Sequence, residues 1–185
     1  MIDELLAGYR ARLAGLGLTP TDDVLAADLG EKKLVRWRSG EALSAHPFSR
    51  SRLPLSCREN SHGTPWGLHA VAAKHGAGEP AGMVFSGRAA TGARWMDRAD
   101  AGPAQPALVT TRILRLRGLE PGLNAGPGVD SFGRFIYIHG TNFPERFPEN
   151  LSKGCLLMRD ADLIALFDAV PEGAHVWLWR GAAEG

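Results

Sequence analysis

The sequence has little cysteine and no long hydrophobic run. Its two cysteines, Cys57 and Cys155, are too few and too far apart to predict a disulfide framework. No stretch approaches the ~18 consecutive apolar residues of a membrane-spanning helix, so we expect no membrane segment. The 21 Lys and Arg against 20 Asp and Glu leave a formal net charge of +1. Because no overall positive field is available, we expect no nucleic acid and no anionic membrane as a partner.

The start of the sequence also lacks the marks of a secretory leader. Asp3 and Glu4 stand where a signal peptide carries positive charge, and no apolar segment follows them. We therefore expect a cytoplasmic protein. If a leader has been removed, a periplasmic or cell-wall location is the alternative.

The sequence has the composition of a folded domain, with 44% hydrophobic and 22% charged residues. An apolar stripe at helical spacing over residues 2–16 predicts a helix, which we assign to an N-terminal helical arm of residues 1–22. A second helix is predicted at 161–170, with Asp160 as its N-cap. Short apolar segments separated by Gly, Pro, Ser and Asn predict strands at 24–29, 34–38, 42–49, 68–74, 83–87, 107–117, 134–138 and 175–179. The expected fold is mostly β with few helices, in one domain of residues 23–185.

One histidine and one cysteine form the pattern that carries chemistry. His139 ends an apolar strand and is followed by a glycine, and Cys155 comes sixteen residues later, directly after Gly154. A thiol reacts as thiolate, and an adjacent imidazole can take its proton and lower its pKa. Gly154 allows close approach of the backbone, so nearby amides can stabilise an oxyanion. The alternative is a buried structural cysteine and a structural histidine.

These segments resemble the catalytic signature of the L,D-transpeptidase (YkuD-type) family. That signature has a strand ending in His-Gly, a loop, and then Ser-His-Gly-Cys followed by an apolar residue, Arg and an apolar residue. The matching segments here are Ile-His-Gly-Thr at 138–141 and Ser-Lys-Gly-Cys-Leu-Leu-Met at 152–158. Further similar segments bring the resemblance to residues 23–180; they lie at 64–67, 84–88, 113–116, 162–167 and 170–173.

The resemblance implies a YkuD-like fold of β-sandwich or barrel type and a cysteine enzyme acting on murein stem peptides. Cys155, activated by His139, would attack the carbonyl of the third, L-centred residue and release the terminal D-Ala, leaving a thioester. Gly140 would supply the carbonyl that orients His139, and the amides of Gly154 and Cys155 would form the oxyanion hole. The residues expected to bind substrate are Arg88, Thr141, Ser152 and Lys153. No cofactor and no metal are implied, and carbapenem-type inhibitors are expected partners besides the murein tetrapeptide or muropeptide.

Two positions depart from the family signature. Lys153 replaces the histidine before Gly-Cys, and Leu157 replaces the arginine two residues after the cysteine. Lys153 can supply the missing cation beside Cys155 and favour its thiolate. The alternative is a solvated lysine without a role.

Three functions stay open at this point. The leading prediction is an L,D-carboxypeptidase that uses water as acceptor and trims tetrapeptides in murein recycling. The first alternative is an exported L,D-transpeptidase that crosslinks the third residues of two stems. The second is a non-catalytic module that binds stem peptides.

Two other groups of residues are given no function, apart from Arg88. The first is a set of possible metal ligands whose spacing fits no common motif: Cys57, His62, His69 and His75. The second is a set of arginines assigned mostly to an exposed sheet face: Arg88, Arg94, Arg112, Arg115, Arg117 and Arg134. Of these arginines only Arg88 matches a family position.

Overall fold

The computed structural model describes residues 2–98 and 107–181. They form ten strands and two α-helices in the order α1 Ile2–Leu16, β1 Asp23–Asp28, β2 Lys33–Arg38, β3 Glu41–Pro47, β4 Gly67–His75, β5 Met83–Ser86, β6 Ala89–Arg94, β7 Thr110–Gly118, β8 Tyr137–Gly140, β9 Leu156–Met158, α2 Asp160–Ala169 and β10 His175–Trp179. The mostly-β prediction with an N-terminal helix is therefore confirmed. Neither helix of the described residues combines the length and apolar character that crossing a bilayer requires.

The strands form one branched sheet. Its main path runs β3-β2-β1-β10-β4-β7-β5-β6, and β8 joins it by pairing with β7 on one side and β9 on the other. Two of the pairings are parallel, β1 with β10 and β8 with β9, whereas the others are antiparallel. The branch at β7 brings β8 and β9 beside the middle of the sheet.

Both faces of the central strands are covered. One face packs with α2 around side chains such as Leu114, Ile138 and Phe167. The other packs under α1, where the Tyr9 hydroxyl and His175 Nδ1 form a hydrogen bond of 2.8 Å. Because each central strand is buried on both sides, β1 is a continuous apolar run rather than an alternating one.

The structure corrects several predicted boundaries. The strand expected at 134–138 begins at Tyr137, because residues 131–135 form turns and Phe135 has a φ of 56°. Strands β6 and β9 are too short or too exposed to give an apolar pattern and were not predicted. Asp160 is the first residue of α2, and Arg159 occupies the N-cap position. The glycine-rich segment 119–133 is a loop, as expected.

Candidate active site

The parallel pair β8 and β9 brings the histidine and the cysteine together. His139 lies opposite Leu157 in the register of this pair, and Cys155 directly precedes β9. Leu157 is held on its other edge by two backbone hydrogen bonds with Ser49, at 2.8 and 2.9 Å. As a result, the side chains of His139 and Cys155 line one cavity of about 540 Å³.

The His139 ring is held in one tautomer. Its Nδ1 lies 2.7 Å from the carbonyl oxygen of Gly140, and the residue is 4% exposed. Since a carbonyl oxygen only accepts, Nδ1 carries the hydrogen and Nε2 keeps a lone pair. Burial lowers the pKa of His139 to about 4, although the bond to Gly140 acts in the opposite direction. At neutral pH the imidazole is therefore an uncharged base.

The carbonyl that orients His139 is itself held by a tight network. A Cβ on Gly140 would lie 2.6 Å from Thr110 Oγ1, 2.8 Å from Thr111 Oγ1 and 2.9 Å from Asp160 Oδ1. Thr111 sits at an irregularity of β7 with a φ of 69°, an unfavourable value for a β-branched residue. Its hydroxyl donates to Asp160 Oδ1 at 2.6 Å. Only glycine fits at position 140, because these three oxygens leave no room for a side chain.

The Cys155 thiol is protonated at rest. Its Sγ donates to the Phe135 carbonyl oxygen at 3.5 Å. Burial raises the pKa of the thiol to about 11, while the Tyr137 backbone N–H and the charge of Arg134 act to lower that pKa. Desolvation outweighs these two effects at rest, and the lowering of the thiol pKa by the imidazole stays a prediction. The resting pair is thus a neutral thiol and a neutral imidazole.

Hydrogen bonds of the Ser152 hydroxyl close the turn that carries Cys155. Ser152 Oγ donates to the Cys155 carbonyl at 2.6 Å and accepts the Gly154 N–H at 3.2 Å. Gly154 has a φ of 122°, which disfavours any residue with a side chain. The Gly154 amide, predicted to serve the oxyanion hole, is therefore engaged by Ser152 in this state. Its oxyanion role, and that of the Cys155 amide, stay predictions.

The cavity wall is positive and apolar. Three cationic residues line it, namely Arg52, Arg146 and Lys153, and no acidic residue of segments 2–98 and 107–181 does. Arg146 pairs with Glu149 at 2.9 Å, so part of its charge is already neutralised. The remaining wall consists of Ala107, Val109, Phe143, Asn150, Leu151, Ser152 and Leu157. A substrate that carries carboxylates suits this wall.

The predicted substrate-binding residues divide into two groups. Ser152 and Lys153 line the cavity. Arg88 instead donates to the Tyr137 hydroxyl at 3.3 Å, and the buried Thr141 accepts the Phe143 N–H at 3.1 Å. The binding roles of Arg88 and Thr141 stay predictions.

Sequence reasoning missed two arginines near the site. Arg52 lines the cavity because its segment runs beside the cysteine turn, where Ser51 forms a bridge with Ser152. No motif in the sequence signals that pairing. Arg134 was assigned to an exposed sheet face, yet it is partly buried and donates to the carbonyls of Ser56 and Gly63.

Two of the four possible metal ligands, His69 and Cys57, are engaged in other contacts. Within the described part of the chain, no three His, Cys, Asp or Glu side chains form a group that can hold a metal ion. The ring of His69 bonds to the Gly67 carbonyl and to Ser131 Oγ, at 3.0 and 2.9 Å. Cys57 Sγ accepts the Trp66 backbone N–H at 3.5 Å.

Comparison with solved structures identifies the same fold. The chain superposes on an L,D-transpeptidase from Xylanimonas cellulosilytica with a TM-score of 0.53 and 18% identity, covering 87% of this chain and 62% of that one. An L,D-transpeptidase from Mycobacterium smegmatis gives a TM-score of 0.50 and 18% identity, covering 85% of this chain and 58% of that one. The L,D-transpeptidase LdtMt1 in complex with imipenem gives a TM-score of 0.51 and 17% identity, covering 85% of this chain and 59% of that one. The chain thus spans about three-fifths of the length of these structures.

A family model gives the assignment at the level of sequence. No protein of curated function matches the chain. The model of the L,D-transpeptidase catalytic domain matches residues 22–178, which include both His139 and Cys155. The chain therefore belongs to the YkuD family of L,D-transpeptidase catalytic domains.

Proposed function

We propose that this protein is a cysteine acyl-transfer enzyme that cleaves murein stem tetrapeptides before their terminal D-Ala. The observation that carries the proposal is the shared cavity of His139 and Cys155, with the imidazole held as a neutral base. Cleavage between the L-centre of the third residue and D-Ala passes through a thioester on Cys155.

The resting protonation states define the order of proton transfers. Nε2 of His139 takes the proton of the Cys155 thiol as sulfur attacks the carbonyl of the third residue. The resulting imidazolium then gives that proton to the amine of the leaving D-Ala, and the C–N bond breaks to leave the thioester. In the second half, Nε2 takes a proton from water as the hydroxide attacks the thioester carbonyl. The C–S bond then breaks, the imidazolium returns its proton to the sulfur, and the tripeptide is released.

Two features support water as the acceptor, and hence an L,D-carboxypeptidase that serves murein recycling. The cationic residues Arg52, Arg146 and Lys153 repel an ammonium group that approaches the thioester, whereas water is neutral. The same residues attract the carboxylates of a stem peptide. A cavity of about 540 Å³ is of the size that holds one small ligand.

Crosslinking is a second candidate, supported by a different cavity. A space of about 370 Å³ meets the first one at Lys153 and is lined by Glu59 together with Arg134 and Phe135. The Glu59 carboxylate is a suitable partner for the ammonium of a second stem peptide. The matched solved structures are named L,D-transpeptidases, which agrees with this candidate.

Mass spectrometry of the products tests the proposal. The protein is incubated with a disaccharide tetrapeptide, with the Cys155→Ala variant as the matched control. Loss of one alanine is expected with the wild type and not with the variant. Formation of a crosslinked dimer would instead identify the protein as a transpeptidase. No change, in a protein that also forms no carbapenem adduct, would leave a peptide-binding module instead.

A further inference from the structure

We propose that Arg134 is a positioning residue that holds the cysteine-bearing turn of residues 152–155 in place and supplies positive charge beside the sulfur. This role goes beyond the predicted functions of Lys153 and Arg88. Only the part of its test that measures turnover rests on the proposed function, because the reactivity of the thiol can be measured without a substrate.

The guanidinium of Arg134 ties its own segment to residues 56–63, which lie beside the turn. Nη1 donates to the Ser56 carbonyl at 3.0 Å, and Nη2 donates to the Gly63 carbonyl at 2.6 Å. Nη2 also lies 3.4 Å from Ser61 Oγ. A planar fork with fixed donor directions can bind two carbonyls in this way, whereas an ammonium group cannot reproduce it.

The Gly63 carbonyl is the surface against which the turn rests. Its oxygen lies 3.2 Å from the position of a Cβ on Gly154, and Arg134 Nη2 lies 3.8 Å from the same point. Gly63 is closely packed, since a Cβ at this position would lie 2.8 Å from Ser56 N. Arg134 thus binds a carbonyl that lies beside Gly154, one residue before Cys155.

Arg134 also adjoins the group that binds the thiol at rest. Phe135 follows it directly and supplies the carbonyl that accepts the Cys155 hydrogen. The titratable and charged side chains around the turn lie on two sides: Arg134, Glu59 and His62 on one, and His139, Lys153, Arg52 and Arg146 on the other. Lys153 is exposed, so water screens its charge, whereas Arg134 is partly buried. The charge of Arg134 acts to lower the Cys155 pKa against the larger effect of burial.

Thiol alkylation measures this effect directly. We compare Arg134→Gln, Arg134→Lys and Arg117→Gln, each in a Cys57→Ala background so that Cys155 is the reporting thiol. Arg117 lies on the exposed face of β7 and serves as the matched control. Second-order rate constants with iodoacetamide are measured from pH 7 to 11, with thermal unfolding of each variant alongside.

Loss of the charge at Arg134 should slow alkylation by about tenfold at a given pH, equivalent to a rise of about one unit in the thiol pKa. Arg134→Lys should restore most of this rate but still lower kcat for the tetrapeptide, because it keeps the charge and loses the two-carbonyl fork. Arg117→Gln should match the wild type.

Equal alkylation profiles of Arg134→Gln and Arg117→Gln would overturn the proposal. If Arg134→Gln does not fold, the comparison uses Arg134→Ala with and without ethylguanidinium, which should restore the rate. A failure of ethylguanidinium to do so, or an Arg134→Lys variant with wild-type kcat, would also count against it. A wild type that turns over no tetrapeptide but shows the expected alkylation shift would refute the proposed function alone.

Discussion

The Thr111 hydroxyl and the Asp160 carboxylate meet at 2.6 Å directly beside Gly140. Thr111 adopts its unfavourable backbone conformation at this contact, and the Gly82 N–H donates to the same hydroxyl at 3.0 Å. Burial raises the pKa of Asp160, whereas the bond from Thr111 lowers it. The strained backbone of Thr111 therefore lies beside the peptide whose carbonyl sets the tautomer of His139.

Removing the Thr111 hydroxyl should loosen the Gly140 carbonyl. We expect Thr111→Val to reduce kcat by about tenfold with little change in KM, since His139 would spend time in unproductive orientations. Thr111→Ser keeps the hydroxyl and should stay close to wild type. Steady-state kinetics with the tetrapeptide check both variants, and equal kcat values for Val and Ser would contradict the role of this contact.

Removal of either reacting side chain should abolish turnover without unfolding the protein. Cys155→Ala and His139→Gln are expected to reduce turnover by a factor of about 10³ or more, because each removes a group that reacts directly. Cys57→Ala is the matched cysteine control and should retain activity. Product mass and thermal unfolding are measured together, and turnover by Cys155→Ala would refute the nucleophile assignment.

The resting protonation states predict an unusual pH profile for alkylation. With a Cys155 pKa of about 11, the thiolate fraction rises tenfold per pH unit, so the rate of iodoacetamide alkylation should keep rising beyond pH 9. Turnover needs only the neutral form of His139, whose pKa is about 4, and should already be level at pH 7. An alkylation plateau below pH 8 would instead indicate a preformed thiolate–imidazolium pair.

The buried histidines should make the fold sensitive to acid. Burial lowers the pKa of His139 and of His69 to about 4 from 6.5. Between these values the unfolded chain binds more protons than the folded one, so stability is complete above pH 6.5 and falls as the pH drops towards 4. Each histidine should contribute roughly 3 kcal/mol to this loss. Urea unfolding at pH 7 and pH 4.5 tests it, and equal free energies would contradict the burial of uncharged rings.

Helix α1 contains a glycine that the structure does not require. A Cβ on Gly8 would meet the indole rings of Trp177 and Trp179 at 3.7 Å, an ordinary van der Waals distance. We expect Gly8→Ala to raise the free energy of unfolding by about 0.5–1 kcal/mol. Gly140→Ala is the opposite case and should destabilise the protein and abolish turnover. Chemical denaturation compares the two, and a destabilised Gly8→Ala variant would show that α1 packs too tightly against Trp177 and Trp179 to admit a methyl group.

The sequence predicts the features that depend on local pattern. Both helices and most strands are visible in the apolar spacing, and the segments around His139 and Cys155 identify the family. Boundaries fail where a turn interrupts an apolar run. Phe135 is the clearest case, because its positive φ ends the predicted strand and turns its carbonyl towards the thiol.

The surroundings of the site depend on contacts between distant segments. Arg134 receives its role from the carbonyls of Ser56 and Gly63, more than 70 residues earlier, and no local pattern records that pairing. The sequence does not reveal the protonation states of the site for a similar reason. The Cys155 pKa is set by how deeply the sulfur is enclosed, which spacing along the sequence does not reveal.

The pairing of β1 with β10 has a consequence for biosynthesis. Strand β1 leaves the ribosome about 150 residues before its parallel neighbour. Until then one edge of this apolar strand lacks its final partner, and Tyr9 of α1 lacks His175. The nascent polypeptide must therefore avoid aggregation with an open edge, and the synthesis of β10 rather than early nucleation sets the moment at which the sheet closes.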